Sequence, residues 1–263
     1  MRADKFFAEK FGSRTKAAEA LEKGLVLVNG KVLRPKDEVK ETDEFVFVQT
    51  ENVFVSNGGY KLDRAVKTFG LDYKDKIFAD IGASTGGFTD CLLQRGAKKV
   101  YAVDVGESLL HESLFNDPKI VRMENTNARY LTKADFADQL DGVVTDVSFI
   151  SLRLIFPAIK SILREDGEAV VLIKPQFECE NKNIGKSGIV HPSAHAEIVK
   201  KVLAYAAENG LYPFGIVNAP VRKGKNIEYV LYIKPTFEGA KSPPQIVETV
   251  KKLVEENRLG RLE

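Results

Sequence analysis

Apolar positions along the chain follow two different rhythms. Up to about residue 50 they come in short clusters broken by charge. Residues 5–11 read as a helical stretch, and Ser13-Arg14-Thr15 supplies an N-cap for a helix that runs through Lys23 and stops at Gly24. Val26-Leu27-Val28, the Asn29-Gly30 pair and Lys31-Val32-Leu33 then spell a tight hairpin. Residues 45–48 predict one more short strand, and residues 50–56 a connector.

Beyond the connector, apolar runs of strand length alternate with helix-length amphipathic stretches. Strands are predicted at 76–81, 99–103, 120–123, 142–145, 168–173, 211–217 and 227–233. Helices fall between them, notably 87–95, 152–163 and 194–209, with Pro157 kinking the second or delaying its start. A tail from Ser242-Pro243-Pro244 to Glu263 is helical at its centre. This alternation implies an α/β fold with a doubly wound, Rossmann-like, mostly parallel sheet. The connection 218–226 is too short for a parallel crossover, so the last strand runs antiparallel. The expected layout is a small α+β domain at 1–49, a linker at 50–56 and a large domain at 57–263.

Composition narrows the class. The net charge of +2 over 263 residues argues for no particular partner. Cys91 and Cys179 lie far apart without metal-ligand spacing, so the reading is reduced thiols, no bound metal and a cytoplasmic protein. The N-terminus MRADKFFAEKF lacks the apolar core of a signal peptide. No apolar run approaches the roughly 18 residues that span a bilayer, so no membrane partner is expected.

Local charge is more telling. Between Lys10 and Lys36 seven basic residues (Lys10, Arg14, Lys16, Lys23, Lys31, Arg34 and Lys36) face two acidic ones, Glu19 and Glu22. A basic helix feeding a basic hairpin suits the phosphate and shape contacts by which structured RNA is recognised. Arg14, Lys16, Lys23, Lys31 and Arg34 are the expected RNA contacts.

The first strand of the large domain ends in a glycine-rich turn, Asp80-Ile81-Gly82-Ala83-Ser84-Thr85-Gly86-Gly87-Phe88. Glycines there let the backbone turn sharply and approach a ligand, and this loop of a doubly wound sheet lies at its switch point. Asp104 ends the next strand and is placed to accept hydrogen bonds from ribose hydroxyls. Three other readings fail on spacing. Ser84 occupies the second glycine of a nicotinamide fingerprint, and Glu180 stands where a P-loop at Gly185-Lys186-Ser187 needs glycine. Gly82-Ala83-Ser84-Thr85-Gly86 spells a nucleophile elbow, with Asp146 and His191 or His195 downstream, but an elbow does not follow a domain's first strand.

Charge also stands at strand ends, where chance seldom puts it. Asp146 ends one apolar run and Lys174 the next, Glu228 lies near the start of the antiparallel last strand, and Lys61 opens the helix that leads into the domain. All four should gather on the rim that carries the glycine loop. Alternatively, Asp146 and Lys174 form a structural ion pair and Lys61 and Glu228 are surface charges.

With these residues the chain resembles the FtsJ-like ribose 2′-O-methyltransferases and, within them, the TlyA-type proteins, some of which carry an old hemolysin label. The runs that carry the resemblance are Ser56-Asn57-Gly58-Gly59-Tyr60-Lys61-Leu62, the 80–88 loop, Asp146-Val147-Ser148-Phe149-Ile150-Ser151-Leu152 and Lys174-Pro175-Gln176-Phe177-Glu178. The front segment is similar to the αL RNA-binding module of a ribosomal protein and of pseudouridine synthases. The resemblance implies S-adenosyl-L-methionine as cofactor and ribosomal RNA in ribosomal subunits as partner, methylated at a cytidine 2′-hydroxyl. It implies Lys61, Asp146, Lys174 and Glu228 as the catalytic tetrad. For the cofactor it implies Asp80, Gly82, Ala83, Ser84, Gly86, Gly87, Phe88 and Asp104, with Asn127 beside the third strand. Asn57 stands where the family commonly has arginine. Lys174, held between Asp146 and Glu228, would orient the ribose hydroxyl and stabilise its developing negative charge. Two other functions compete: a non-catalytic RNA-binding protein on the same fold, and a pore-forming toxin.

Overall fold

The computed structural model describes residues 1–22, 24–47, 53–185, 187–221 and 224–262. Two compact units divide the chain, Met1–Val53 and Phe54–Glu263.

In the first unit, helices α1 (Ala3–Phe6) and α2 (Arg14–Glu22) accompany a sheet of β1 (Val26–Val28), β2 (Lys31–Val32) and β3 (Phe45–Phe47). The strands are antiparallel in the order β2-β1-β3. Asn29 and Gly30 both have positive φ, 50° and 74°, as the predicted two-residue hairpin turn demands. Ala3, Phe7, Ala17, Leu21, Val26, Val28 and Val39 form the core. The first helix starts earlier and is shorter than the periodicity suggests. Backbone bonds from Met1 to Val39 and from Ala3 to Asp37 tie its start to a later loop, and Gly12, at φ 75°, turns the chain beyond it. Lys23, Val48 and the connector residues 50–52 lie outside the described residues. From Phe54 on, the expected linker belongs to the second unit: Phe54 shares a buried cluster with Leu62 and Phe88, and the Val55 N–H donates to Asp90.

In the second unit α3 (Asn57–Phe69) precedes β4 (Ile77–Ile81), α4 (Gly87–Gln94), β5 (Lys99–Val103), α5 (Glu112–Phe115), β6 (Ile120–Met123) and β7 (Leu140–Thr145). Then come α6 (Phe156–Ile162), β8 (Leu163–Ile173), α7 (Pro175–Glu178), α8 (His195–Glu208), β9 (Tyr212–Asn218), β10 (Tyr229–Lys234) and α9 (Pro243–Arg258). The seven-stranded sheet has the order β6-β5-β4-β7-β8-β10-β9. Only β10 runs against its neighbours, slotted between β8 and β9. Alternate residues of each strand serve opposite faces. Val143, Val171 and Ile173 pack with α6, α8 and α9, while Val144, Val170 and Leu172 pack with α3 and α4. Both faces are covered, which is why the central strands read as unbroken apolar runs. The segment read as a helix from residue 152 begins with a 3₁₀ turn at Leu152–Leu154. Its α-helical part starts late, with Pro157 in the first turn, where the missing N–H has no partner to lose.

This topology sends the C-terminal ends of β4, β5, β7 and β8 to one edge of the sheet. Because Tyr229 is in register with Ile173, the residues flanking them, Glu228 and Lys174, leave the sheet side by side.

Candidate active site at the strand ends

The four charged residues form a chain of ion pairs. Lys174 Nζ lies 2.6 Å from Asp146 Oδ1, and Lys61 Nζ lies 3.4 Å from Asp146 Oδ2 and 2.7 Å from Glu228 Oε2. The connectivity is therefore Glu228–Lys61–Asp146–Lys174. Glu228 was expected to flank Lys174, but its ion-pair partner is Lys61. Helix α3 packs on the sheet face over β10 and β9, and its N-terminal part brings that lysine between the two carboxylates. The side chains are only 10–20% exposed, so each pair is screened far less than a surface ion pair.

The glycine loop stands beside Asp146. Gly82 has φ 79°, and a Cβ there would come 3.2 Å from the Asp146 carbonyl oxygen and from Val147 Cγ1. Gly87 is tighter still: its Cβ would meet Ser56 Oγ at 2.2 Å and the Gly59 nitrogen at 2.9 Å. Ser84 holds a left-handed φ of 48°, which glycine would adopt more cheaply. Its N–H donates to Asp104 Oδ2 at 2.8 Å, which anchors the turn; the Gly106 N–H donates to the other carboxylate oxygen at 2.9 Å.

A cleft of about 740 Å³ opens over this loop. Gly82, Ser84, Asp104, Asn127, Arg129, Asp146 and Ser148 are among its polar lining, and Val105, Leu109 and Ile155 among its apolar walls. A smaller polar cavity of about 160 Å³ adjoins it, where Ala83, Ser84, Gly87, Phe88, Ser148 and Lys174 meet. On the other side of the tetrad, Lys61 and Glu228 border a third cavity of about 350 Å³ with Asn57 and Gln176. Asp80 and Gly86 border neither of the first two cavities. Asp80 is wholly buried beneath the loop, accepts a 2.7 Å bond from Thr89 Oγ1, and is pushed by burial up to about 7. Gly86 instead leaves room for Leu114, whose Cδ1 would lie 2.5 Å from an added Cβ. Asn127 borders the large cleft, with its side-chain oxygen accepting bonds from the Arg129 backbone and guanidinium.

Several residues at this edge escaped the sequence reading. Ser148 Oγ accepts a 2.7 Å bond from Lys174 Nζ. Glu178, buried and raised by desolvation above the usual carboxylate range, accepts from Ser151 Oγ and the Leu152 N–H, each at 2.7 Å. Phe149 is 90% exposed with a left-handed φ of 60°, and its ring lies 4.9 Å from that of Phe177. The available signal was the presence of both partners inside the two long motifs that follow β7 and β8.

In the front unit Arg14, Lys16, Lys31 and Arg34 are exposed, and Arg14 Nε is 3.0 Å from Asp4. Lys23 lies outside the described residues. No group of three or more metal-ligating side chains forms among the described residues, and none of their helices is long and apolar enough to cross a membrane.

The FtsJ-like methyltransferase family matches residues 54–234, and the S4 domain family matches residues 1–45. The chain thus belongs to the FtsJ-like methyltransferases and carries an S4 domain in front. It is 38% identical to the 16S/23S rRNA (cytidine-2′-O)-methyltransferase TlyA of Mycobacterium tuberculosis, over 93% of this chain and 92% of that one. It is 42% identical to hemolysin A of Brachyspira hyodysenteriae, over 84% of this chain and 93% of the relative. A solved structure from Streptococcus thermophilus, described as a hemolysin, covers 98% of both chains at 36% identity with a TM-score of 0.71. With such relatives, the chain is a TlyA-type member of its family.

Proposed function

We propose that this protein transfers a methyl group from S-adenosylmethionine to a cytidine 2′-hydroxyl of ribosomal RNA, working on ribosomal subunits in the cytoplasm. The observation that carries the reading is the ion-pair chain Glu228–Lys61–Asp146–Lys174 bordering an acid-lined cleft cradled by the glycine loop.

The donor set of the cleft fits this cofactor. Its charged lining is Asp104, Asp146 and one cation, Arg129, a balance that suits a cationic nucleoside and opposes a polyphosphate. Asp104 keeps lone pairs for ribose hydroxyls beyond the two backbone bonds that fix it, and the apolar walls suit a purine. When bound, the cofactor supplies an electrophilic methyl group on a sulfonium.

The chain's part is to position and polarise the nucleophile. Lys174 donates an N–H to the hydroxyl oxygen and stabilises the negative charge that develops there. Asp146 holds Lys174 on one carboxylate oxygen and Lys61 on the other, so the ammonium that meets substrate has a fixed origin. Orientation of this kind supplies about 7–11 kcal/mol, whereas general-base help supplies about 10²–10⁴-fold. Positioning dominates. In front, the exposed cations of the S4 domain add phosphate contacts that hold the structured RNA.

The test is tritium transfer from labelled S-adenosylmethionine to ribosomal subunits that lack the modification, followed by mapping of ribose methylation. Label in rRNA at a cytidine ribose is expected. Label elsewhere, or none, overturns the reading. Leakage of lipid vesicles caused by the purified protein would favour the hemolysin reading instead.

A further inference from the structure

Lys174 has a second oxygen partner outside the tetrad. Its ammonium donates a 2.7 Å hydrogen bond to Ser148 Oγ while pairing at 2.6 Å with Asp146 Oδ1. An ammonium carries three N–H donors. The bond to Ser148 uses one of them, the ion pair with Asp146 holds the head from another side, and donor capacity remains for a ligand. A lysine head rides on a flexible four-carbon stem, and a single carboxylate would let it pivot. A directional hydrogen bond to Ser148, at a different bearing from the ion pair, removes that freedom and sets how the ammonium presents its remaining donors.

Ser148 is itself held in place. The left-handed turn at Phe149 follows it, a conformation that a bulky residue keeps only when its surroundings enforce it. The Phe149–Phe177 ring contact and the Glu178 bonds to Ser151 and Leu152 stitch the segment after β7 to the segment after β8. Lys174 and Ser148 thus belong to two segments that cannot easily move apart. Ser148 also borders both the 740 Å³ cleft and the 160 Å³ polar cavity shared with Lys174, so it stands where the two meet.

We propose that Ser148 is a positioning residue for methyl transfer: by accepting one N–H of Lys174, it aims the ammonium at the attacking hydroxyl oxygen. This rests on the reading of Lys174 given above.

The experiment measures steady-state methyl transfer by the full-length protein to unmodified ribosomal subunits. Ser148→Ala and Ser148→Thr are compared with wild type, alongside calorimetric binding of S-adenosylhomocysteine. Ser148→Ala should lower kcat about 10- to 100-fold, the scale of one lost hydrogen bond to a charged group. KM for either substrate and the S-adenosylhomocysteine affinity should stay near wild type. Ser148→Thr, which keeps the hydroxyl, should retain most of kcat. Wild-type kcat in Ser148→Ala overturns the inference, as does a loss that falls on KM or on S-adenosylhomocysteine binding, which would make Ser148 a cofactor contact. Should Ser148→Ala fail to fold, Ser148→Cys, nearly isosteric but a poor acceptor, must show the same kcat loss for the inference to stand. An inactive wild type would bring down the reading of Lys174 as well, whereas an active wild type with an indifferent Ser148→Ala brings down this inference alone.

Discussion

Lys61 and Glu228 are bound to each other at 2.7 Å, although helix α3 and strand β10 lie at opposite ends of the catalytic unit's sequence. The contact gives the tetrad a direction. Glu228 pairs with Lys61, Lys61 with Asp146, and Asp146 with Lys174, which borders the small polar cavity beside the glycine loop.

Removing Lys174 should therefore stop the reaction without emptying the cofactor cleft. Lys174→Ala is expected to lose at least about 10²–10³-fold in kcat, the loss seen when one oriented donor is deleted, with S-adenosylhomocysteine affinity nearly intact by calorimetry. Equal loss of both would assign Lys174 to folding or cofactor binding.

The tetrad should respond unequally to neutral isosteres. Asp146→Asn removes the counter-charge of two lysines, whereas Glu228→Gln leaves Lys61 paired with Asp146. The first should cost more in kcat than the second, by about tenfold or more, since an additional charged contact is worth about 1.5–3 kcal/mol. The reverse order in a side-by-side assay would refute this connectivity.

Adjacent glycines should differ sharply in tolerance. Gly87→Ala drives a methyl group into Ser56 and the backbone of Gly59, and is expected to cost about 1–3 kcal/mol. Gly58→Ala meets nothing closer than 3.4 Å within a helix, where alanine is the better former, and should be neutral or slightly stabilising. Thermal melts of the two variants decide the matter.

Asp80 makes stability pH-dependent. Burial raises its folded pKa to about 7, so the folded state holds a proton that the unfolded chain has lost. Its contribution is complete below the unfolded value near pH 4 and vanishes as pH rises through about 7. Asp80→Asn, uncharged throughout, should lack this decline and outlast wild type by on the order of 3 kcal/mol more at pH 8 than at pH 4. Urea unfolding of both proteins across that range is the measurement, and parallel curves would contradict the assignment.

The S4 unit should contribute electrostatically. Alanine at Lys16, Lys31 or Arg34, all exposed, should weaken RNA binding evenly across sequences. Each should also shallow the slope of log K against log salt by about 0.7–0.9 per charge. Unchanged slopes in filter binding would place the RNA elsewhere.

Much of this could be seen in the residues beforehand. The Asn29-Gly30 hairpin, the strand ends at Asp146 and Lys174 and the reversed last strand follow from short-range patterns with direct physical meaning. What escaped was side-chain partnership. Nothing in the spacing of Lys61, Lys174 and Glu228 says which lysine the glutamate meets, because that depends on where α3 packs along β10. The resemblance implies Asp80 as a cofactor contact, while the structure buries its side chain against Thr89 and away from both cavities. Ser84 looked like a departure from a glycine pattern, but a bond to Asp104 secures the conformation glycine would have supplied.

The insertion of β10 between β8 and β9 also dictates the order of assembly during translation. Until residues 229–234 leave the ribosome, β8 has an unpaired edge and the growing sheet is open to mispairing with other nascent chains. Glu228 is delivered by the same segment, so the ion-pair chain and the cover for that edge depend on one stretch of sequence.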